Sequence, residues 1–190
     1  MLQVNVARLH EDNREALALA WVAGREAGTS VRREAAASAS LIGHLNLTHP
    51  NSIQVIGAYE AGIVAGFIER LFESSPSAVI VADGVAPPPA LVEEATRHGT
   101  PLFTSPQPAP RVIEKLARYL AKALAETVER HGVFMDVLGL GVLVTGESGV
   151  GKSELGLELI SRGHGLVADD VVSVSRIAAN TLEGRCPRRR

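Results

Sequence analysis

Val142-Leu143-Val144-Thr145-Gly146-Glu147-Ser148-Gly149-Val150-Gly151-Lys152-Ser153-Glu154-Leu155 sets a strand-like apolar run, a glycine-rich octapeptide and the start of a helical pattern end to end. Residues Gly146 to Ser153 fit G-x-x-x-x-G-K-[ST] without a mismatch, in the strand-loop-helix context that a phosphate-binding loop requires. Glycines let the backbone curl until consecutive N–H groups point into one concavity, and the N-terminus of the next helix adds partial positive charge where phosphate oxygens collect. The expected cradle is Gly146, Glu147, Ser148, Gly149, Val150, Gly151, Lys152 and Ser153. Lys152 reaches the terminal phosphates as a point charge, and the Ser153 hydroxyl is placed to ligate Mg²⁺. The helix predicted from Glu154 runs through Leu155, Leu157, Leu159 and Ile160 to a stop at Gly163. The function is therefore built around a nucleoside triphosphate or a similar polyphosphate.

Downstream, Gly165 to Val172 reads as a buried strand interrupted by Asp169 and Asp170. Burying adjacent carboxylates costs several kcal/mol unless a cation or strong donors compensate, and a phosphate-bound Mg²⁺ is such a cation. One carboxylate then serves the metal, and the other accepts the proton of an attacking hydroxyl. Neighbouring residues of a continuous strand point to opposite faces, so the two share a task only if the strand breaks between them. The bland alternative is a strand end carrying solvated aspartates. His131 opens the first strand of the second domain, where it either polarises a phosphate or the base, or is structural. His164, just after Gly163, reads as a cap or surface residue, and Cys186 lies in a polar tail with no base to activate it. Arg188, Arg189 and Arg190 read as a solvated end.

Upstream, strands and helices alternate, which predicts an α/β sheet domain. Gln3 to Leu9 alternates like a strand, and Asp12-Asn13 offers an N-cap for the apolar run Ala16 to Val22. Gly24 to Ala37 reads as a loop. Ile53 to Ile56 and Ala78 to Ala82 read as strands flanking a helix over Ala61 to Phe72. Pro87 to Pro89 open a helix that stops at Gly99, and Pro101 to Thr104 is a further short strand. From Arg111 to Arg130, Val112, Leu116, Leu120, Ala123 and Leu124 recur at helical spacing. A domain boundary is placed at the end of that helix, giving domains 1–130 and 131–190. Beyond it, Val133 to Leu138 and Val142 to Thr145 are strand-like runs reversed through Gly139-Leu140-Gly141.

The balance of 19 Lys and Arg against 21 Asp and Glu gives a net charge of -2, which excludes general attraction to nucleic acid or an anionic membrane. Hydrophobic residues make up 46% but aromatic ones only 4%, so the core must be mostly aliphatic. A single cysteine excludes an internal disulfide, and no run is long and apolar enough for a membrane span or signal peptide; a cytoplasmic setting is expected.

Taken in order, His131-Gly132-Val133, Gly139-Leu140-Gly141-Val142, Gly146 to Glu154, Arg162-Gly163-His164 and Leu166-Val167-Ala168-Asp169-Asp170 resemble the HPr kinase/phosphorylase family. Ser40-Leu41-Ile42-Gly43-His44-Leu45-Asn46 and Ile53-Gln54-Val55-Ile56-Gly57 resemble its proteobacterial N-terminal domain. The resemblance covers nearly the whole chain. It implies an N-terminal α/β sheet domain followed by the start of a P-loop kinase domain. It also implies an enzyme that uses ATP or pyrophosphate, with Mg²⁺, to phosphorylate a serine of the carrier protein HPr, and removes that phosphate by phosphorolysis. On the family's pattern Asp170 is the base and, in reverse, the acid, with His131 and Lys152 beside it. Ser153 matches the Mg²⁺ ligand, and Asp169 is assigned to the metal side. Family members continue past Asn180 to Pro187 into a segment with a second metal-binding carboxylate, a catalytic arginine, and helices that assemble a hexamer and dock HPr. The resemblance thus implies a C-terminally truncated member. Two other readings stay open: an inactive fragment that binds nucleotide or partner subunits, and a P-loop kinase for a small molecule.

Overall fold

The computed structural model describes residues 3–25, 28–32, 40–178 and 180–187. The chain forms two compact units that divide between Leu124 and Ala125.

In the first unit the elements are β1 (Gln3–Asn5), α1 (Val6–Leu17), β2 (Ala20–Ala23), β3 (Ser30–Arg32), β4 (Ile42–His44) and β5 (Ile53–Ile56). There follow α2 (Ala58–Ile63), α3 (Ile68–Glu73), β6 (Ala78–Val81), α4 (Pro89–His98), β7 (Leu102–Thr104) and α5 (Ala109–Ala123). Five strands form a sheet in the order β2-β7-β6-β5-β4, with β4, β5, β6 and β7 parallel and β2 antiparallel at the edge. Parallel strands need both faces covered, and alternation along β6 does this. Ala78 and Ile80 face a cluster with Leu9 and Leu17 of α1 and Val112, Leu116 and Leu120 of α5. Val79 and Val81 face Ile68, Leu71 and Phe72 of α3 and Leu91 and Ala95 of α4. Gly99, in the left-handed region at φ 65°, ends α4 as its position predicts.

The first twenty residues correct the reading of periodicity. The strand predicted over Gln3 to Leu9 stops at Asn5, whose side chain accepts from the Ala7 N–H and so starts a helix instead. Val6, Leu9, Asn13 and Leu17 are the buried stripe of α1, so Asp12-Asn13 lies inside the helix and does not cap one. Trp21 and Val22 belong to β2, not to a helix. Part of the expected loop Gly24 to Ala37 is β3, paired with β1; residues 26–27 and 33–37 lie outside the described residues. The helix predicted over Ala61 to Phe72 is α2 and α3 joined by a single 3-10 turn, Val64–Gly66.

The second unit begins where helical spacing was expected to continue. After α5 the chain forms β8 (Thr127–His131), then β9 (Val133–Val137), β10 (Leu140–Val144), α6 (Lys152–Ser161), β11 (Gly165–Ala168), β12 (Val171–Ala178) and β13 (Thr181–Arg185). The helix expected to reach Arg130 ends at Ala123, because β-branched Thr127 and Val128 enter a ladder with Ser175 and Val174 of β12. The strands make two small antiparallel sheets, β10-β9-β11 and β13-β12-β8. The reversal between β9 and β10 is the pair Leu138-Gly139, both at positive φ (54° and 84°); Leu140 and Gly141 are already strand. Two consecutive left-handed residues suit a hairpin turn that matches strand twist. A Cβ on Gly141 or on Gly184 would lie 2.6 and 2.4 Å from ring atoms of Phe134, so β13 packs closely onto the hairpin through that ring. The terminal arginines 188–190 lie outside the described residues.

Candidate active site

The turn between β10 and α6 is built by three glycines at positive φ: Gly146 (156°), Gly149 (80°) and Gly151 (96°). Such angles are open to glycine at low cost, and they coil the backbone back over the start of α6. Gly151 is the N-cap residue, and Lys152 and Ser153 form the helix's first turn. The Lys152 Nζ donates to the carbonyls of Gly146 (2.9 Å) and Glu147 (2.6 Å), so the ammonium sits at the mouth of the loop. The helix closes as expected at Gly163 (φ 88°), whose N–H donates to Ile160 O while that of His164 donates to Leu159 O. His164 is thus part of the helix stop.

The run Gly165 to Val172 corrects a further expectation. It is not one buried strand: Leu166 and Val167 are exposed, and β11 and β12 are separated by a break at Asp169 and Asp170. Asp170 is held at φ 71°, its N–H donates to the Asp169 Oδ1 (3.0 Å), and the Val171 N–H donates to Asp169 O (3.0 Å). The break removes the strand constraint that would send the two side chains to opposite faces. His131 ends β8 opposite Val171 and does not open a strand as the sequence suggested. Its Nδ1 lies 3.8 Å from Asp170 Oδ1, both side chains being largely exposed.

These segments enclose one cleft of about 600 Å³, lined by His131, Gly132, Val133, Gly146, Ser148, Gly149, Gly151, Lys152, Ser153, Glu154, Asp169 and Asp170. Of the predicted residues, Glu147 and Val150 are not in its lining; Glu147 contributes the carbonyl that accepts from Lys152, and Val150 is 66% exposed. Gly132, Val133 and Glu154 were missed by sequence reasoning. Glu154 was legible as an acidic first-turn residue, whereas Gly132 is set apart only by its backbone angle, φ 156°, which no spacing reveals. Cys186 is exposed and outside the lining.

No group of three or more His, Cys, Asp or Glu able to hold a metal exists among the described residues. Ser153 and Asp169 do line the same cleft. A hydroxyl and a carboxylate fit Mg²⁺, which takes one or two protein oxygens and completes its shell with phosphate and water. A smaller apolar hollow of about 140 Å³ adjoins the cleft between Leu157, Ile160 and Leu166. Chemically, the site offers main-chain donors and one lysine for an anion, with a carboxylate beside them to take a proton.

Residues 4–120 match the family described as HPr Serine kinase N terminus, and residues 122–190 match HPr Serine kinase C-terminal domain. The HPr kinase/phosphorylase of Aromatoleum aromaticum is 51% identical over 98% of this chain and 63% of its own length. That of an Azoarcus species is 50% identical over 98% of this chain and 63% of its own length. The chain therefore spans 63% of the length of these curated relatives. A solved HPr(Ser) kinase/phosphatase from Coxiella burnetii is 48% identical, covering 32% of this chain and 39% of that one, with a TM-score of 0.30.

Proposed function

Since this chain belongs to the HPr kinase/phosphorylase family, we propose that its cleft transfers a phosphoryl group from ATP or pyrophosphate to a serine of HPr, and returns it to inorganic phosphate. The observation that carries this reading is the convergence of Lys152, the Gly146–Gly151 turn and Asp170 on a single cleft.

The polyphosphate lies along the N–H groups of the loop at the start of α6, and Lys152 turns from the loop carbonyls to its terminal phosphate. Asp170 accepts the proton of the serine hydroxyl as the oxygen bonds to phosphorus and the leaving group departs, ADP from ATP or phosphate from pyrophosphate. In reverse, inorganic phosphate attacks the phosphoserine, pyrophosphate forms, and Asp170 returns the proton to the serine oxygen. His131 stands 3.8 Å from Asp170 and orients the carboxylate. Ser153 and Asp169 are the residues that would hold Mg²⁺, which when bound neutralises charge on the transferred phosphoryl group.

HPr is the protein partner in this reading, a cytoplasmic setting suits it, and assembly with further copies into a hexamer is part of the same proposal. No described helix is long and apolar enough to cross a membrane.

The test adds ATP or pyrophosphate, Mg²⁺ and HPr and measures phosphoserine. Transfer is expected, and Asp170→Asn is expected to keep pyrophosphate affinity within about twofold while lowering transfer at least about 100-fold. If neither polyphosphate binds, the reading is wrong. A second reading, a nucleotide-binding fragment without turnover, is favoured by one feature: among the described residues the cleft lining carries no arginine to stabilise transferred charge. Binding without transfer selects it.

A further inference from the structure

We infer that Gly132 is a positioning residue that sets the spacing between the proton-accepting aspartate and the phosphate loop; the inference rests on the kinase reading above. Gly132 is the single residue between β8 and β9, and its two sides touch the two halves of the cleft. Its N–H donates to the carbonyl of Asp170 (3.0 Å), which ties it to the break that carries the acid-base group. Its Cα faces the end of β10: a Cβ built there would lie 2.5 Å from Val144 O and 3.2 Å from the Leu143 Cδ1. Val144 stands two residues before the loop begins at Gly146. Glycine at φ 156° is what allows the backbone at 132 to approach both at once.

The mechanical consequence follows from which side is stiffer. Val144 is the last of five paired residues in the β9–β10 ladder, locked opposite Val133. Asp169 and Asp170 form a two-residue break outside any ladder, held by two bonds within the turn and by the Gly132 N–H itself. Distance from a backbone carbonyl under 3.0 Å cannot persist, so a side chain at 132 must displace something, and the break yields before the ladder does. The loop then keeps its grip on polyphosphate, while Asp170 shifts away from the attacking hydroxyl. A displacement of about 1 Å at a reacting group is enough to lower a rate about 100-fold.

The experiment has one arm on the unsubstituted chain and one on Gly132→Ala. By amide hydrogen exchange, the Gly132 N–H of the unsubstituted chain should exchange at least about tenfold more slowly than in an unstructured peptide. Exchange at the unstructured rate removes the bond to Asp170 and overturns the inference, whether or not the variant folds. In Gly132→Ala, the amide NMR signals of Asp170 and Val171 should move, and the pyrophosphate dissociation constant should stay within about twofold. The kcat for transfer to HPr should fall about 100-fold at unchanged KM for ATP. Unmoved Asp170 and Val171 signals, an unchanged kcat, or a loss of pyrophosphate affinity of about tenfold or more each overturn it. Failure of the kinase reading shows separately, as an unsubstituted chain that binds no polyphosphate or binds it without transfer to HPr; the exchange and NMR arms then still decide the inference.

Discussion

Lys152 holds two loop carbonyls and is the only lysine in the cleft lining among the described residues. On the proposed reading, replacing it with alanine removes the point charge for terminal phosphates. Calorimetry should therefore show pyrophosphate affinity lowered at least about tenfold, equivalent to about 1.4 kcal/mol. In the first unit, the Tyr119 hydroxyl donates to Asp12 Oδ2 (2.9 Å), which also accepts from Arg8 Nε (2.9 Å). Partial burial, followed by the hydrogen bond to Asp12 and its negative charge, pushes the phenol up from 10.0 to about 12. A value raised in the folded state stabilises the fold fully below the unfolded value and loses that contribution as pH rises through the folded one. Water screens this partly exposed pair, so the contribution is held to about 1 kcal/mol. Urea unfolding followed by Trp21 fluorescence should show the stability difference between the parent chain and Tyr119→Phe shrinking from pH 10.0 to about 12. A difference that is constant over this range removes the role of the contact.

At the scale of elements, one carboxylate organises the ends of two helices. Asp83 follows β6, and its Oδ2 accepts from the Ala58 N–H at the start of α2 while Oδ1 accepts from the Ala109 N–H at the start of α5 (both 2.8 Å). Helix starts carry unpaired N–H groups and partial positive charge, so a carboxylate serves both bonds and both dipoles. Asp83 also sits at φ 58°, a conformation that aspartate and asparagine tolerate better than alanine. Asp83→Ala should lower stability by about 2 kcal/mol, since losing each cap costs about 1 kcal/mol. Asp83→Asn, with one acceptor oxygen for two donors, should cost about half as much. Denaturant unfolding reads both; equal stability of Asp83→Ala and the parent would contradict the capping account.

Across the molecule, the two units differ in how they bury apolar surface. The parallel sheet of the first has aliphatic clusters on both faces. In the second, α6 buries only Gly156 of its ten residues, and Leu155, Leu157, Ile160, Leu166 and Val167 are all exposed. Leu157, Ile160 and Leu166 line one hollow, and exposed apolar side chains gathered on one surface bind apolar probes. The chain should therefore enhance the fluorescence of anilinonaphthalene sulfonate while folded, and the double substitution Leu157→Lys with Leu166→Lys should reduce that signal by more than half. An equal signal from the double variant would place the exposed surface elsewhere.

Local chemistry was legible in the residues themselves. The glycines and lysine of 146–153 specify a loop whatever surrounds it, because the conformations they need are intrinsic to glycine and the helix start is adjacent in sequence. The stop of α4 at Gly99, the strands at Ile53 and Ala78, and the alternation that made the first unit α/β were readable for the same reason. Pairing across distance was not. Gln3 to Leu9 alternates as well as any strand, yet β3 reaches only its first three residues, and the Asn5 cap turns the rest into helix. Thr127 to Arg130 falls within the expected helix, yet the ladder with β12 draws these residues and His131 into a sheet. That ladder brings His131 to within 3.8 Å of Asp170, and the break in the strand places both aspartates in one cleft. Sequence by itself determined the glycine-rich loop and, through the family's pattern, the expectation of His131 beside Asp170; only the tertiary structure decided that they share one cleft with the loop, because hydrogen-bond pairing between distant strands overrides local periodicity.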